Sequence, residues 1–135
     1  MDRLFLDANV LFSAAYASTS RLLALWSLDD VELVTSVWAV EEARRNLVIQ
    51  NRERLPVMEE LLSRVTLIAT STTGSTQPGV QLPDKDVPIL LAAIESGCNV
   101  LLTGDKQHFG ALYGQELEGV LVQMPGQYLR SRSCP

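Results

Sequence analysis

The 135-residue chain has one histidine, His108, and two cysteines, Cys98 and Cys134. A single imidazole excludes any mechanism that needs two. Two distant thiols provide neither a disulfide framework nor the ligand spacing of a zinc site, and they fit a reducing cytosol. Aromatic residues are few, with three Phe, three Tyr and two Trp, and none cluster along the chain. A long stacking platform for single strands is therefore not expected, and Trp26 and Trp38 read as core or interface residues. Long apolar runs are also missing. The longest uncharged stretch near the start, residues 8–20, carries Asn9, Ser13, Ser18, Thr19 and Ser20, too short and too polar to span a bilayer. Arg3 and Asp7 flank only Leu4-Phe5-Leu6, which is no signal peptide. The expectation is a cytoplasmic protein with no membrane partner. Basic charge is in short supply too: 11 Lys+Arg stand against 16 Asp+Glu, a net charge of -5. That excludes a polybasic protein that grips nucleic acid by bulk charge.

What is present is ordinary globular composition, 47% hydrophobic and 20% charged, which argues against disorder. The length predicts a single domain over 1–135. Five short apolar runs read as strands covered on both faces: 4–6, 31–35, 65–68, 100–102 and 120–122. Helical patterns fill the gaps: 9–16, 20–28, Ser36 as a cap to about Gln50, 54–64 with Pro56 in the first turn, and 86–96 stopped by Gly97. Alternation of this kind predicts an α/β fold with a mainly parallel, roughly five-stranded sheet. Residues 70–83, rich in Ser, Thr, Gly, Pro and Gln, read as a flexible loop, and 130–135 as a frayed tail.

The acids are the informative feature. Asp7 ends the first strand, Asp105 follows the fourth after Thr103-Gly104, Asp86 opens the 86–96 helix, and Glu41 and Glu42 lie early in the helix after Ser36. Ligand sites of open α/β sheets lie outside the carboxyl ends of the strands, so acids from distant sequence converge there. Each has an ordinary reading alone: Asp7 and Asp86 as helix caps, Asp105 as a turn acid, Glu42 as a solvated helix residue. Together they repel unless one is protonated or a hard cation neutralises them. Oxygen-only ligands suit Mg²⁺ or Mn²⁺. Such a site can polarise a phosphodiester and activate water without histidine, cysteine or serine.

Four segments carry a family resemblance. They are residues 4–11, Leu-Phe-Leu-Asp-Ala-Asn-Val-Leu; 35–47, from Thr-Ser to Glu-Glu-Ala-Arg-Arg-Asn-Leu; 82–93, Leu-Pro-Asp-Lys-Asp-Val-Pro-Ile-Leu-Leu-Ala-Ala; and 101–109, Leu-Leu-Thr-Gly-Asp-Lys-Gln-His-Phe. In this order and spacing they resemble the PIN domain, a metal-dependent nuclease family that includes VapC-type toxins. The resemblance implies a three-layer α/β/α sandwich and Mg²⁺- or Mn²⁺-dependent cleavage of single-stranded RNA. It maps the four catalytic and metal-binding acids onto Asp7, Glu42, Asp86 and Asp105, with Asn9 and Thr103 beside them. Glu41 stands next to Glu42 and nearer the apolar face of Val37, Val40, Ala43 and Leu47; Asp84 stands near Asp86; the family spacing favours Glu42 and Asp86. Where relatives carry a further acid or Asn after the fourth, this chain has Lys106, Gln107 and His108. Arg44, Arg45 and Lys106 are the basic residues closest to the proposed edge, with Arg21, Arg52 and Arg54 further out. A toxin of this type would take an antitoxin partner, and homodimerisation is consistent with the family.

Two other readings compete. One is a catalytically silent PIN-like binding or regulatory module, against which the retention of all four acids argues. The other is a phosphotransfer receiver or phosphatase. Asp7 has no adjacent acid and no lysine lies between it and Lys85, which argues against a receiver. Two divalent ions would offset four of the five excess negative charges. RNA affinity is therefore expected to be weak in EDTA and restored by Mn²⁺ in a filter-binding titration. Equal affinity in both would contradict the reading of the acidity as a vacant metal site.

Overall fold

The computed structural model describes residues 1–69 and 87–133. The loop expected over 70–83, together with Asp84 and Asp86, lies outside the described residues. The elements are β1 (Asp2–Leu6), α1 (Ala8–Tyr16), a 3₁₀ helix (Arg21–Ser27), β2 (Val31–Ser36), α2 (Val37–Asn51), a 3₁₀ turn (Arg52–Arg54), α3 (Leu55–Leu62), β3 (Thr66–Ile68), α4 (Val87–Glu95), β4 (Val100–Leu102), α5 (Lys106–Phe109), a 3₁₀ turn (Gly110–Leu112), β5 (Glu116–Leu117), β6 (Val120–Gln123) and α6 (Pro125–Ser133). Helices flank a six-stranded sheet of order β3-β2-β1-β4-β6-β5, the three-layer α/β/α arrangement. Among the described residues no helix is long and apolar enough to cross a membrane.

β1 lies between β2 and β4 and pairs in parallel with both, Leu4 facing Leu33 on one side and Val100 on the other. Leu4, Phe5 and Leu6 are all 0% exposed, which explains why β1 is apolar at every position after Asp2 and Arg3. Strands 1 to 3 step outward in one direction; β4 then returns to the other side of β1. The carboxyl ends of β1 and β4 flank the point where the strand order reverses, which is where ligands enter folds of this class. The right-handed crossover rule assigns the returning helix α4 to the face opposite the outward helices. α1 packs on α2 and α3.

Local chemistry sets the helix starts. The Ser36 hydroxyl caps α2 by accepting from Ala39 N at 3.2 Å, and Pro56 sits in the first turn of α3, where its missing N–H is harmless. The apolar face of α2 is Ala39, Val40, Ala43 and Leu47; Val37, expected there, is 40% exposed.

Two features differ from expectation. A sixth strand, β5, joins β6 antiparallel through Glu118 (φ 50) and Gly119 (φ 83). Two central residues of positive φ make a type I′ hairpin turn, and Glu in the first position disguises the usual Asn-Gly signal. The region expected to fray from 130 is helical through Ser133. α6 is held by a polar cluster: Tyr128 Oη donates to Asp2 Oδ2 at 2.6 Å, Asn99 Nδ2 to Asp2 Oδ1 at 2.9 Å, and Arg132 pairs with Asp30 while stacking over the Tyr128 ring.

The Tyr128 hydroxyl, and after it the Asn99 amide, hold the Asp2 carboxyl below the usual carboxylate range. Burial, then the same hydrogen bond, pushes the Tyr128 phenol up to about 12. An acid lowered by folding stabilises above its unfolded value, about 3.9, and ceases to as pH falls through the lower folded value. Asp2→Asn is therefore expected to lower the urea midpoint at pH 7, with the deficit shrinking at pH 3 and below. A deficit independent of pH would show that the Asp2 charge contributes nothing.

Candidate functional site

Asp7 lies at the exit of β1, where its N–H donates to Leu102 O of β4 at 3.1 Å. It is also the cap of α1, Oδ1 accepting from Ala8 N at 2.6 Å. Only 4% of the residue is exposed. A carboxylate so buried is costly unless donors surround it, and two more are supplied to Oδ2: Thr103 Oγ1 at 2.8 Å and Asn9 Nδ2 at 3.2 Å. Thr103, itself 0% exposed, is the first residue after β4. Its hydroxyl accepts from Asn9 Nδ2 at 3.2 Å and from Asp105 N at 3.1 Å. Asn9 Oδ1 accepts from Gly104 N at 2.8 Å. A Cβ at Gly104 would meet Asn9 Oδ1 at 3.4 Å, an ordinary van der Waals contact.

Asp105 is half-buried and caps α5, Oδ1 accepting from His108 N at 3.1 Å. His108 Nδ1 lies 2.8 Å from Asp105 Oδ2, and the His108 main-chain N–H holds the other carboxyl oxygen. Tyr113 Oη donates to Thr103 O at 2.9 Å. Burial, and after it the charges of Asp105 and Asp7, hold the Tyr113 phenol above its usual range.

Asp7, Glu42 and Asp105 line one cavity of about 260 Å³ with Ala8, Asn9, Phe12, Asn46 and Gly104. Glu42 is half-buried and part of this wall, whereas Glu41 is exposed and outside it. Asp86, the fourth expected acid, lies outside the described residues. Among the described residues, no group of three or more Asp, Glu, His or Cys side chains is arranged to hold a metal ion. The donor set still fits a hard divalent cation in kind: three carboxylates from three elements, oxygen only, and, among the described residues, no cationic side chain in the wall.

The basic residues lie elsewhere. Arg44 forms a bidentate pair with Glu59 at 2.6 and 2.9 Å, and this contact holds Glu59 below the usual carboxylate range. Arg54 Nε donates to Ala15 O at 2.9 Å. Arg45, Lys106, Arg21 and Arg52 are exposed, and none lines the cavity. Trp26 is half-buried, its indole donating to Leu61 O at 3.0 Å, while Trp38 is largely exposed.

Sequence reasoning missed Phe12 and Asn46. Asn46 was legible as the residue four after Glu42, on the same helix face. The aromatics do cluster once: the Phe12 and Tyr16 rings lie 5.4 Å apart at 44°.

A family model described as the PIN domain matches residues 3–107. Several solved structures are similar in fold. The Rickettsia felis VapBC2 structure, bound to a DNA fragment from its promoter, has a TM-score of 0.69 at 15% identity, over 90% of this chain and 98% of that one. The VapBC-1 structure from nontypeable Haemophilus influenzae gives 0.59 at 16%, over 92% and 98%. Mycobacterium tuberculosis VapC20, described as a sarcin–ricin loop cleaving toxin, gives 0.61 at 10%, over 85% and 97%. At such identities the likeness is one of fold. No curated protein matches the sequence.

The shared network around Asp7 has a measurable consequence. Asn9→Ala and Thr103→Val should each cost about 1–3 kcal/mol in urea unfolding, because each leaves buried polar groups unpaired. The double variant should lose less than the sum, since both substitutions strip the same carboxylate. Strict additivity would mean the two residues act independently.

Proposed function

The chain belongs to the PIN domain family, and from that premise we propose that it is a divalent-metal-dependent ribonuclease cleaving single-stranded RNA. We further propose that it acts in the cytoplasm as the toxin of a toxin–antitoxin pair. The observation that carries the chemistry is the shared cavity of Asp7, Glu42 and Asp105, with no basic side chain among the described residues of its wall. In this reading those three acids and Asp86 hold Mg²⁺ or Mn²⁺. When bound, the cation supplies the positive charge that polarises the phosphodiester and acidifies water.

The residues of the chain do the positioning. Three donors fix both Asp7 oxygens, and His108 fixes Asp105. Asn9 and Thr103 tie the two acids into one network across β1 and β4. A carboxylate held this way needs no reorganisation when charge develops near it. Arg45 and Lys106, exposed on either side of the cavity wall in sequence, are proposed as outer phosphate contacts. The toxin role is supported by the VapBC and VapC structures of similar fold; it carries with it an antitoxin partner and a homodimer.

The test is cleavage of defined single-stranded RNAs with Mn²⁺, Mg²⁺ or EDTA. Wild type should cleave with either ion and not with EDTA. Asp7→Asn and Asp105→Asn should remain folded by circular dichroism and lose several kcal/mol of transition-state stabilisation, a rate loss of about a hundredfold or more. Undiminished cleavage in both variants would refute the acid-site mechanism. A folded wild type that cleaves nothing with either ion would favour the silent-module reading.

A further inference from the structure

The cavity wall continues beyond the acids. α1 and α2 run side by side in the same direction: Asp7 and Ser36 cap them at the carboxyl edge of the sheet, and near their far ends Asn51 Nδ2 donates to Tyr16 O at 3.1 Å. One turn past Ala8 on α1 comes Phe12, and one turn past Glu42 on α2 comes Asn46; both line the same cavity as the acids. The Asn46 side chain is exposed and makes no hydrogen bond among the described residues. Phe12 is half-buried, and its ring leans on Tyr16, which is 42% exposed. An aromatic surface therefore leads out of the acidic cavity along α1, with a carboxamide facing the same space.

We propose that Phe12 and Asn46 form a subsite for an unpaired nucleobase adjoining the phosphodiester at the acids, a reading that rests on the ribonuclease function above. Unpaired bases are held by stacking on aromatic rings and by hydrogen bonds to their edges. A carboxamide offers one donor and one acceptor in the fork that base edges present. Both groups are neutral, so they grip a base without competing for the charge that the carboxylates demand. Tyr16 extends the aromatic surface towards the next base outward.

The probe is a pool of short single-stranded RNAs of random sequence, cleaved with Mn²⁺, with the product ends sequenced. Wild type is expected to show a base preference on one side of the cut. Asn46→Ala, at an exposed helix position where alanine is well tolerated, should still cleave but lose about tenfold of that discrimination. Phe12→Leu, checked for folding by its melting curve, should raise KM about tenfold. A wild-type profile without base preference, or both folded variants retaining the wild-type profile and KM, overturns the subsite and leaves the ribonuclease reading standing. Wild type that cleaves no member of the pool with either ion overturns both.

Discussion

A buried carboxylate at the seam between β1 and β4 constrains everything around it. Asp7 stands where an unsatisfied charge would be most costly, and among the described residues three donors reach it from three places: the first turn of α1, the Asn9 side chain, and Thr103 beyond β4. Because Thr103 also accepts from Asn9 and from Asp105 N, the acid that follows β4 is set by the acid that follows β1. Gly104 completes this closure by presenting its N–H to Asn9. Local capping, strand pairing and site geometry are thus one network, and a change in any member propagates to the others.

The topology supplies the rest. A sheet that steps outward from β1 and then returns to its other side leaves a crevice at the reversal point. α1 and α2 both leave that edge, so Ala8, Asn9 and Phe12 of α1 and Glu42 and Asn46 of α2 face one space. Glu42 reaches it because Ser36 starts α2 at the end of β2. A helix beginning one residue earlier would rotate the Glu pair by about 100° and put Glu41 where Glu42 now stands.

That dependence explains what was legible in the sequence. The Leu4-Phe5-Leu6 part of β1 and the whole of β4 were readable because segments buried on both faces are apolar, and Asp7, Thr103 and Asp105 follow from those strand ends. Ser36 and Pro56 announced their helices by chemistry that acts locally. The choice of Glu42 over Glu41 needed the helix phase, and the apolar pattern misled because Val37 lies in the first turn and faces solvent. The β5–β6 hairpin escaped because Glu118 takes a positive φ usually left to Asn or Gly. α6 escaped because what orders it is tertiary: Asp2 and Asp30, about a hundred residues away, hold Tyr128 and Arg132. Pro125 at its first position was the one local signal available. Phe12 and Asn46 are a site pair only because α1 lies against α2.

Charge placement then decides how a polyanion can approach. Arg3 is paired with Glu32, Arg44 with Glu59, and Arg132 with Asp30, so three of the chain's cations are committed to neighbours away from the cavity. Among the described residues, the wall is carboxylate, carboxamide, aromatic ring and backbone. A phosphate entering that space meets like charge, and the repulsion is strongest where water is scarce. In the proposed ribonuclease, affinity for RNA inside the cavity would come from cations recruited to the acids and from the neutral groups beside them, with Arg45 and Lys106 acting outside it. Recognition of bases and recruitment of the metal would then be coupled: neutral contacts would hold a strand near the carboxylates only once a cation had cancelled their repulsion.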